Sequence, residues 1–200
     1  MKLYYSPGAC SLATRISLHE GGILAEFERV DLKAKLTERG DDYLAINPAG
    51  SVPMLVLDSG DAVTENVAIL ALIADQVPAI DNDGPLGRTR LLEMLSFLST
   101  ELHASFKPFF HDASTAELEE AGDAVTKRLV LIASAMRGPY LLGSHFTVAD
   151  AYLFVMLRWA RSFGLMIPPP LLNLFERIGS RDAVVRAIAE ERLPSPMLAA

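Results

Sequence analysis

Apolar and polar positions change their rhythm once along this chain, near residue 77. Ahead of that point, short apolar runs alternate with helical stretches. Lys2-Leu3-Tyr4-Tyr5 is a brief strand-like run broken by Ser6-Pro7-Gly8. From 11 to 20, Leu12, Ala13, Ile16 and Leu18 recur at helical spacing, and Gly21-Gly22 supplies a stop. Residues 27–32 predict a second strand, so the chain opens as a βαβ unit. A polar stretch leads to a short helix over 43–48, closed by Asn47-Pro48. Strands over 54–57 and 62–64 flank the turn Asp58-Ser59-Gly60-Asp61, and a helix follows over 65–76. This order predicts a small mixed α/β sheet with helices packed on it.

Residues 78–86 are rich in Asp, Asn, Gly and Pro and predict a linker between a first part, 1–77, and a second, 87–200. Beyond the linker strand signals vanish. Helical periodicity runs over 86–110, 115–136 and 147–163, then in shorter pieces to 192, so the second part reads as all-helical. Pro168-Pro169-Pro170 is a turn or a helix lead-in. Thr147-Val148-Ala149-Asp150 reads as a capping box, with Phe146 at the staple position ahead of it. The helix it starts is apolar nearly all round, from Tyr152 to Trp159, which predicts the buried centre of the second part.

Half of the 200 residues are hydrophobic and 22% are charged, enough apolar material for a folded core. No segment approaches the ~20 uninterrupted apolar residues of a membrane span. The amino terminus has no apolar stretch behind a basic flank, and a single cysteine precludes an internal disulfide. Together these predict a reducing, cytoplasmic setting. The formal charge of −7 argues against nucleic acid as a partner. Residues 1–76 carry 6 Lys/Arg against 11 Asp/Glu, so an anionic ligand there must be held by local devices such as helix N-termini.

Four places could carry chemistry. Cys10 stands where a Ser-Pro-Gly turn meets the first helix, a position whose free amides and dipole favour a thiolate; buried packing is the plainer reading. With no second cysteine nearby, a redox cycle would need an external thiol. Val52-Pro53 precedes a strand, as an ordinary loop proline or as a cis bond that turns the Val52 backbone outward to pair with an extended peptide. Thr64-Glu65-Asn66 opens a helix, as a cap or as a seat for carboxylate and ammonium groups. His103 faces a cleft, a partner subunit or solvent. No His, Asp, Glu or Cys grouping has metal-ligand spacing, so no metal is expected.

The ordered set of Met1 to Ser11, Asn47-Pro48-Ala49-Gly50-Ser51-Val52-Pro53, Thr64 to Ile69, Thr100-Glu101-Leu102-His103 and Phe146 to Phe154 resembles the soluble glutathione transferases, specifically the bacterial beta class. The resemblance spans nearly the whole chain. It implies a thioredoxin-like first domain, an all-helical second, and a homodimer. It further implies glutathione as co-substrate, with Val52 clamping the cysteinyl backbone beside a cis Pro53. Glu65 and Asn66 would hold the γ-glutamyl end and Lys35 the glycyl carboxylate. Cys10 would adjoin the glutathione sulfur, with His103 lining the cleft, and Ser96 and Glu101 would approach the γ-glutamyl amine of the opposite subunit.

Three departures stand out: Asn66 where many relatives have serine or glycine, Ser96 in place of a frequent asparagine, and Ala104 where lysine is common. The expected activity is conjugation of activated glutathione to small hydrophobic electrophiles, seated by Phe106, Phe109 and Phe110 or near them, since these could equally be core. Thiol–disulfide exchange or peroxide reduction through Cys10 is the enzymatic alternative. A non-catalytic ligand-binding protein on the same fold is the alternative of another class.

Overall fold

A computed structural model of the chain describes residues 1–195; the last five residues of the expected helical part lie outside the described residues. The first part contains β1 (Lys2–Tyr5), α1 (Ser11–Glu20), β2 (Glu26–Asp31), β3 (Leu36–Thr37), α2 (Tyr43–Ile46), β4 (Met54–Val56), β5 (Ala62–Thr64) and α3 (Asn66–Gln76). The sheet order is β3-β2-β1-β4-β5, with β1 and β2 parallel and the other neighbours antiparallel. The sequence pattern does not announce β3, whose two residues lie in the polar stretch and form an edge strand paired to the end of β2. β2 begins one residue early, with Glu28 and Val30 turned inward. The buried Glu28 carboxylate is met by Lys2 at 3.1 Å and Arg39 at 2.9 Å.

A single 3-10 turn, Pro78–Ile80, crosses to the helical part and buries Ile80. The second part contains α4 (Gly87–Phe97), α5 (Thr115–Ala135), α6 (Val148–Ser162), α7 (Pro169–Gly179) and α8 (Asp182–Glu190). The uniform helix expected over 86–110 is not found. After α4 the chain widens into a π-helical segment, Leu98–His103, and ends in a 3-10 turn, Lys107–Phe110, whose second residue is Pro108. A π segment shifts the helical register, so side chains beyond it face a new direction. Proline removes an amide donor and ends the regular helix.

α1 is the pivot of the molecule. Residues Ser11 to Leu18 are all buried, and α1 packs against the sheet, α6 and α8 together. α6 is the expected buried centre. Its first turn is locked by the Asp150 carboxylate, which accepts from the Thr147 amide at 2.8 Å, the Thr147 hydroxyl at 2.9 Å and the Leu141 amide at 2.8 Å. Burial pushes Asp150 up to about 6 while these three donors pull it down. Pro169 supplies the first residue of α7, as the proline triplet predicts.

Candidate active site

The turn between β1 and α1 places Cys10 at the mouth of a cleft between the two parts. Gly8 sits at its apex with φ of 71°, a conformation that side chains rarely adopt. Both of its backbone polar groups are tied to the helical part. The Gly8 amide donates to Glu191 Oε2 at 2.8 Å, and its carbonyl accepts from Trp159 Nε1 at 2.8 Å. Glu191 is itself buried beside Arg15, whose guanidinium lies between the Tyr5 and Phe27 rings, 4.0 Å from each centroid.

Cys10 is half-buried and caps α1. Its Sγ donates to the Val52 carbonyl at 3.4 Å, and the Val52-Pro53 bond is cis. Burial pushes the thiol up to about 12, against the opposing pull of the Cys10 and Ser11 amides, with the Glu65 charge adding to the rise. The thiolate expected from the helix N-terminus alone is therefore reversed. Desolvation outweighs the dipole here, and the group is a thiol at neutral pH.

Cys10 lies where two cavities adjoin. One, of 550 Å³, is lined by Val52, Pro53, Glu65, Asn66, His103 and Tyr152 among others. The second, of 880 Å³, extends past Lys35 and Gly50 to Phe110 and Trp159. Its lining includes Lys33, Lys35 and Lys107 and no carboxylate, a local concentration of positive charge on a chain of net −7. Lys35 Nζ donates to the Gly50 carbonyl at 2.8 Å. Glu65 precedes α3 with φ of 67° and ψ of 118°, a conformation costing a non-glycine residue about 1–3 kcal/mol. Asn66 is buried behind it and accepts from Thr14 Oγ1 at 3.0 Å.

His103 ends the π segment and lines both cavities. Its Nδ1 is 2.7 Å from the Tyr152 hydroxyl, and its ring lies 4.9 Å from that of Trp159. Burial, and then the charge of Lys107, lower its proton affinity, so the imidazole is neutral at pH 7. Tyr152 is raised by burial well above the usual phenol range.

The profile of the Glutathione S-transferase N-terminal domain matches residues 8–76, and that of the Glutathione S-transferase C-terminal domain matches 61–178. The chain belongs to the glutathione S-transferase family. It is 40% identical over 200 residues to glutathione S-transferase GstA of Escherichia coli O157:H7, covering 96% of this chain and all of that one. Glutathione S-transferase GST-4.5 of Xanthomonas campestris pv. campestris is 42% identical over 179 residues, covering 82% and 85% respectively. Among solved structures, a sphingomonad glutathione S-transferase complexed with glutathione superposes with a TM-score of 0.91 at 43% identity, covering 97% of this chain and all of that one. The bacterial transferase BphK, in a ternary complex, gives 0.91 and 43%, covering 96% and 100%.

In this transferase fold Cys10, Lys35, Val52, Pro53, Glu65, Asn66 and His103 converge on the cleft. Of the three phenylalanines, Phe110 lines the larger cavity, at 5.0 Å from the Trp159 ring. Phe106 is wholly buried against Trp159, and Phe109 stacks on Phe163 at 4.6 Å; neither lines either cavity. Ser96 and Glu101 lie on the flank outside both cavities, and Glu101 pairs with Arg128 at 3.0 Å. The positive charge that Ala104 lacks reappears at Lys107, three residues on, lining both cavities.

Tyr152, Trp159 and Lys107 line the cavities and Glu191 anchors the Gly8 turn, four placements that sequence reasoning missed. A detectable signal existed for Tyr152 and Trp159. They are polar-tipped aromatics seven residues apart on a helix predicted to be buried, so each needed a hydrogen-bond partner. Glu191 had no such signal, because its partners lie at the other end of the chain.

Proposed function

We propose that this glutathione S-transferase binds glutathione as an extended peptide, lowers its thiol pKa, and directs the thiolate at small hydrophobic electrophiles. Residues 1–77 hold glutathione and residues 87–200 line the electrophile site, with 78–86 joining them. The Val52 backbone beside cis Pro53 pairs with the cysteinyl unit. Glu65 meets the γ-glutamyl ammonium group, the amides opening α3 with Asn66 meet its carboxylate, and Lys35 meets the glycyl carboxylate.

The observation that carries this reading is the place of Cys10, at the seam of the two cavities and 3.4 Å from the Val52 carbonyl. A sulfur delivered there lies beside the first amides of α1 and near His103. As the glutathione S–H bond breaks, its proton leaves to water and the amides meet the charge left on sulfur. The electrophile occupies the larger cavity against Phe110 and Trp159. The reading includes a cytoplasmic homodimer in which Ser96 and Glu101 approach the γ-glutamyl amine held by the partner subunit. It includes no metal, nucleic acid or membrane partner. Among the described residues no helix is long and apolar enough to cross a membrane.

Thiol–disulfide exchange is the competing use of Cys10. A thiol pushed up to about 12 weighs against Cys10 as the attacking group and in favour of glutathione's own sulfur. Cys10→Ala separates the two. Conjugation to a chlorinated aromatic should survive; if disulfide reductase activity vanishes while conjugation remains, exchange is the task of Cys10, and if neither activity changes, Cys10 has no catalytic part. Calorimetry tests the non-catalytic alternative at the same time, since the absence of binding at millimolar glutathione would refute both enzymatic readings. Light scattering at a dimer mass supports the roles of Ser96 and Glu101, and a monomer removes them.

A further inference from the structure

What a neutral imidazole can do depends on which nitrogen carries the proton, and that is set by the partner of the other nitrogen. His103 Nδ1 is 2.7 Å from the Tyr152 hydroxyl, close enough for a firm hydrogen bond that either group could donate. The surroundings of Tyr152 decide the direction. Thr14 Oγ1, fully buried in α1, donates to Asn66 Oδ1 at 3.0 Å. The amide oxygen is thereby committed to α1. Asn66 Nδ2 is buried with no acceptor at normal hydrogen-bond distance. Asn66, Ser99 and Tyr152 line one cavity, and the first two act on the phenol in the sense of donors, lowering its proton affinity against the effect of burial. With donors acting on the phenol oxygen, its own proton goes to His103 Nδ1, the acceptor at hydrogen-bond distance among the described residues.

We propose that Tyr152 is a positioning residue that holds His103 as its Nε2–H tautomer, so that the imidazole donates a hydrogen bond to the sulfur in the cleft instead of taking its proton. The donors run one way, from Thr14 to Asn66, Tyr152 and His103, across α1, α3, α6 and the π segment. Asn66 is the link that orients the phenol. This inference rests on the proposed glutathione site for its catalytic consequence; its first readout does not.

Nitrogen-15 NMR of the imidazoles in the unliganded protein, with His103→Gln to assign the signal, reads the tautomer directly. The expected result is a protonated Nε2 and a bare Nδ1. Asn66→Asp replaces the donor facing Tyr152 by an acceptor. It should draw the phenol proton away and invert His103 to the Nδ1–H form. Tyr152→Phe should populate both tautomers and lower kcat for conjugation about tenfold, the rate equivalent of one hydrogen bond, with the KM for glutathione changed less than about twofold. A wild-type Nδ1–H tautomer overturns the proposal, and so does an Asn66→Asp protein with the wild-type tautomer. Lower thermal stability in Tyr152→Phe with tautomer and kcat unchanged would also overturn it, as a purely structural role. Should Tyr152→Phe not fold, Asn66→Asp still decides. An Nε2–H tautomer in a protein that binds no glutathione upholds the Tyr152–His103 arrangement and removes the functional reading alone.

Discussion

The sole cysteine offers a direct measurement of the balance between desolvation and the helix N-terminus. The perturbation is alkylation of the unliganded protein by iodoacetamide across pH 7 to 10, with the urea-unfolded chain as reference. Burial moves Cys10 from an ordinary 9.0 up to about 12. At pH 8 an ordinary thiol is about one-tenth thiolate, whereas Cys10 is thiolate in about one molecule in ten thousand. A more basic thiolate is intrinsically a better nucleophile, and over three pH units that restores about 20-fold. The net expectation is a rate about 50-fold below that of the unfolded chain at pH 8, read by intact mass. The logarithm of the rate should climb with unit slope through pH 10 and show no plateau. Restricted access would lower the whole curve without bending it, so the shape is diagnostic. A plateau with a midpoint below pH 9 would refute the reasoning and show that the α1 amides outweigh burial.

Replacing Asp150 with Ala leaves two buried amides and a hydroxyl without their acceptor, and should cost about 3–5 kcal/mol in urea denaturation. Glu191 is raised from 4.5 to about 7, chiefly by burial. A group whose folded value exceeds its unfolded one contributes fully below 4.5 and loses that contribution as pH rises through 7. Wild-type stability should thus fall by up to about 3 kcal/mol across this window, a component absent from Glu191→Gln. Lys35→Ala should raise the KM for glutathione about tenfold or more with kcat little changed, because the lost charge acts alike on substrate and transition state; an unchanged KM would remove Lys35 from the site.

Much of the frame was legible because it is written in local patterns. The Ser-Pro-Gly break, the Gly21-Gly22 stop and the Thr147–Asp150 box each fix an element boundary by short-range chemistry. What escaped was decided by neighbours distant in sequence. Strand β3 exists because two residues find the edge of β2, and so short a run has no period to read. The π segment shares its apolar spacing with an ordinary helix, and only Pro108 hinted that residues 86–110 could not be uniform. The same division runs through the site. The cap position of Cys10 was visible, but its protonation depends on burial beside Val52 and on Glu65, residues more than forty positions away. Asn66 reads as a cap or ligand seat, and no local pattern indicates that Thr14, 52 positions earlier, claims its oxygen.

The double clamp on Gly8 bears on how the chain is made. Its amide reaches a residue 183 positions later and its carbonyl one 151 positions later. During synthesis from the amino terminus, the sheet and α1 can assemble while neither clamp yet exists. Trp159 leaves the ribosome well before Glu191, so the turn carrying Cys10 gains its second anchor only after α8 has emerged. The Cys10 turn then acquires its final shape after the sheet and the helices up to α7, and a chain cut short after α7 would keep its sheet but hold Gly8 by one anchor.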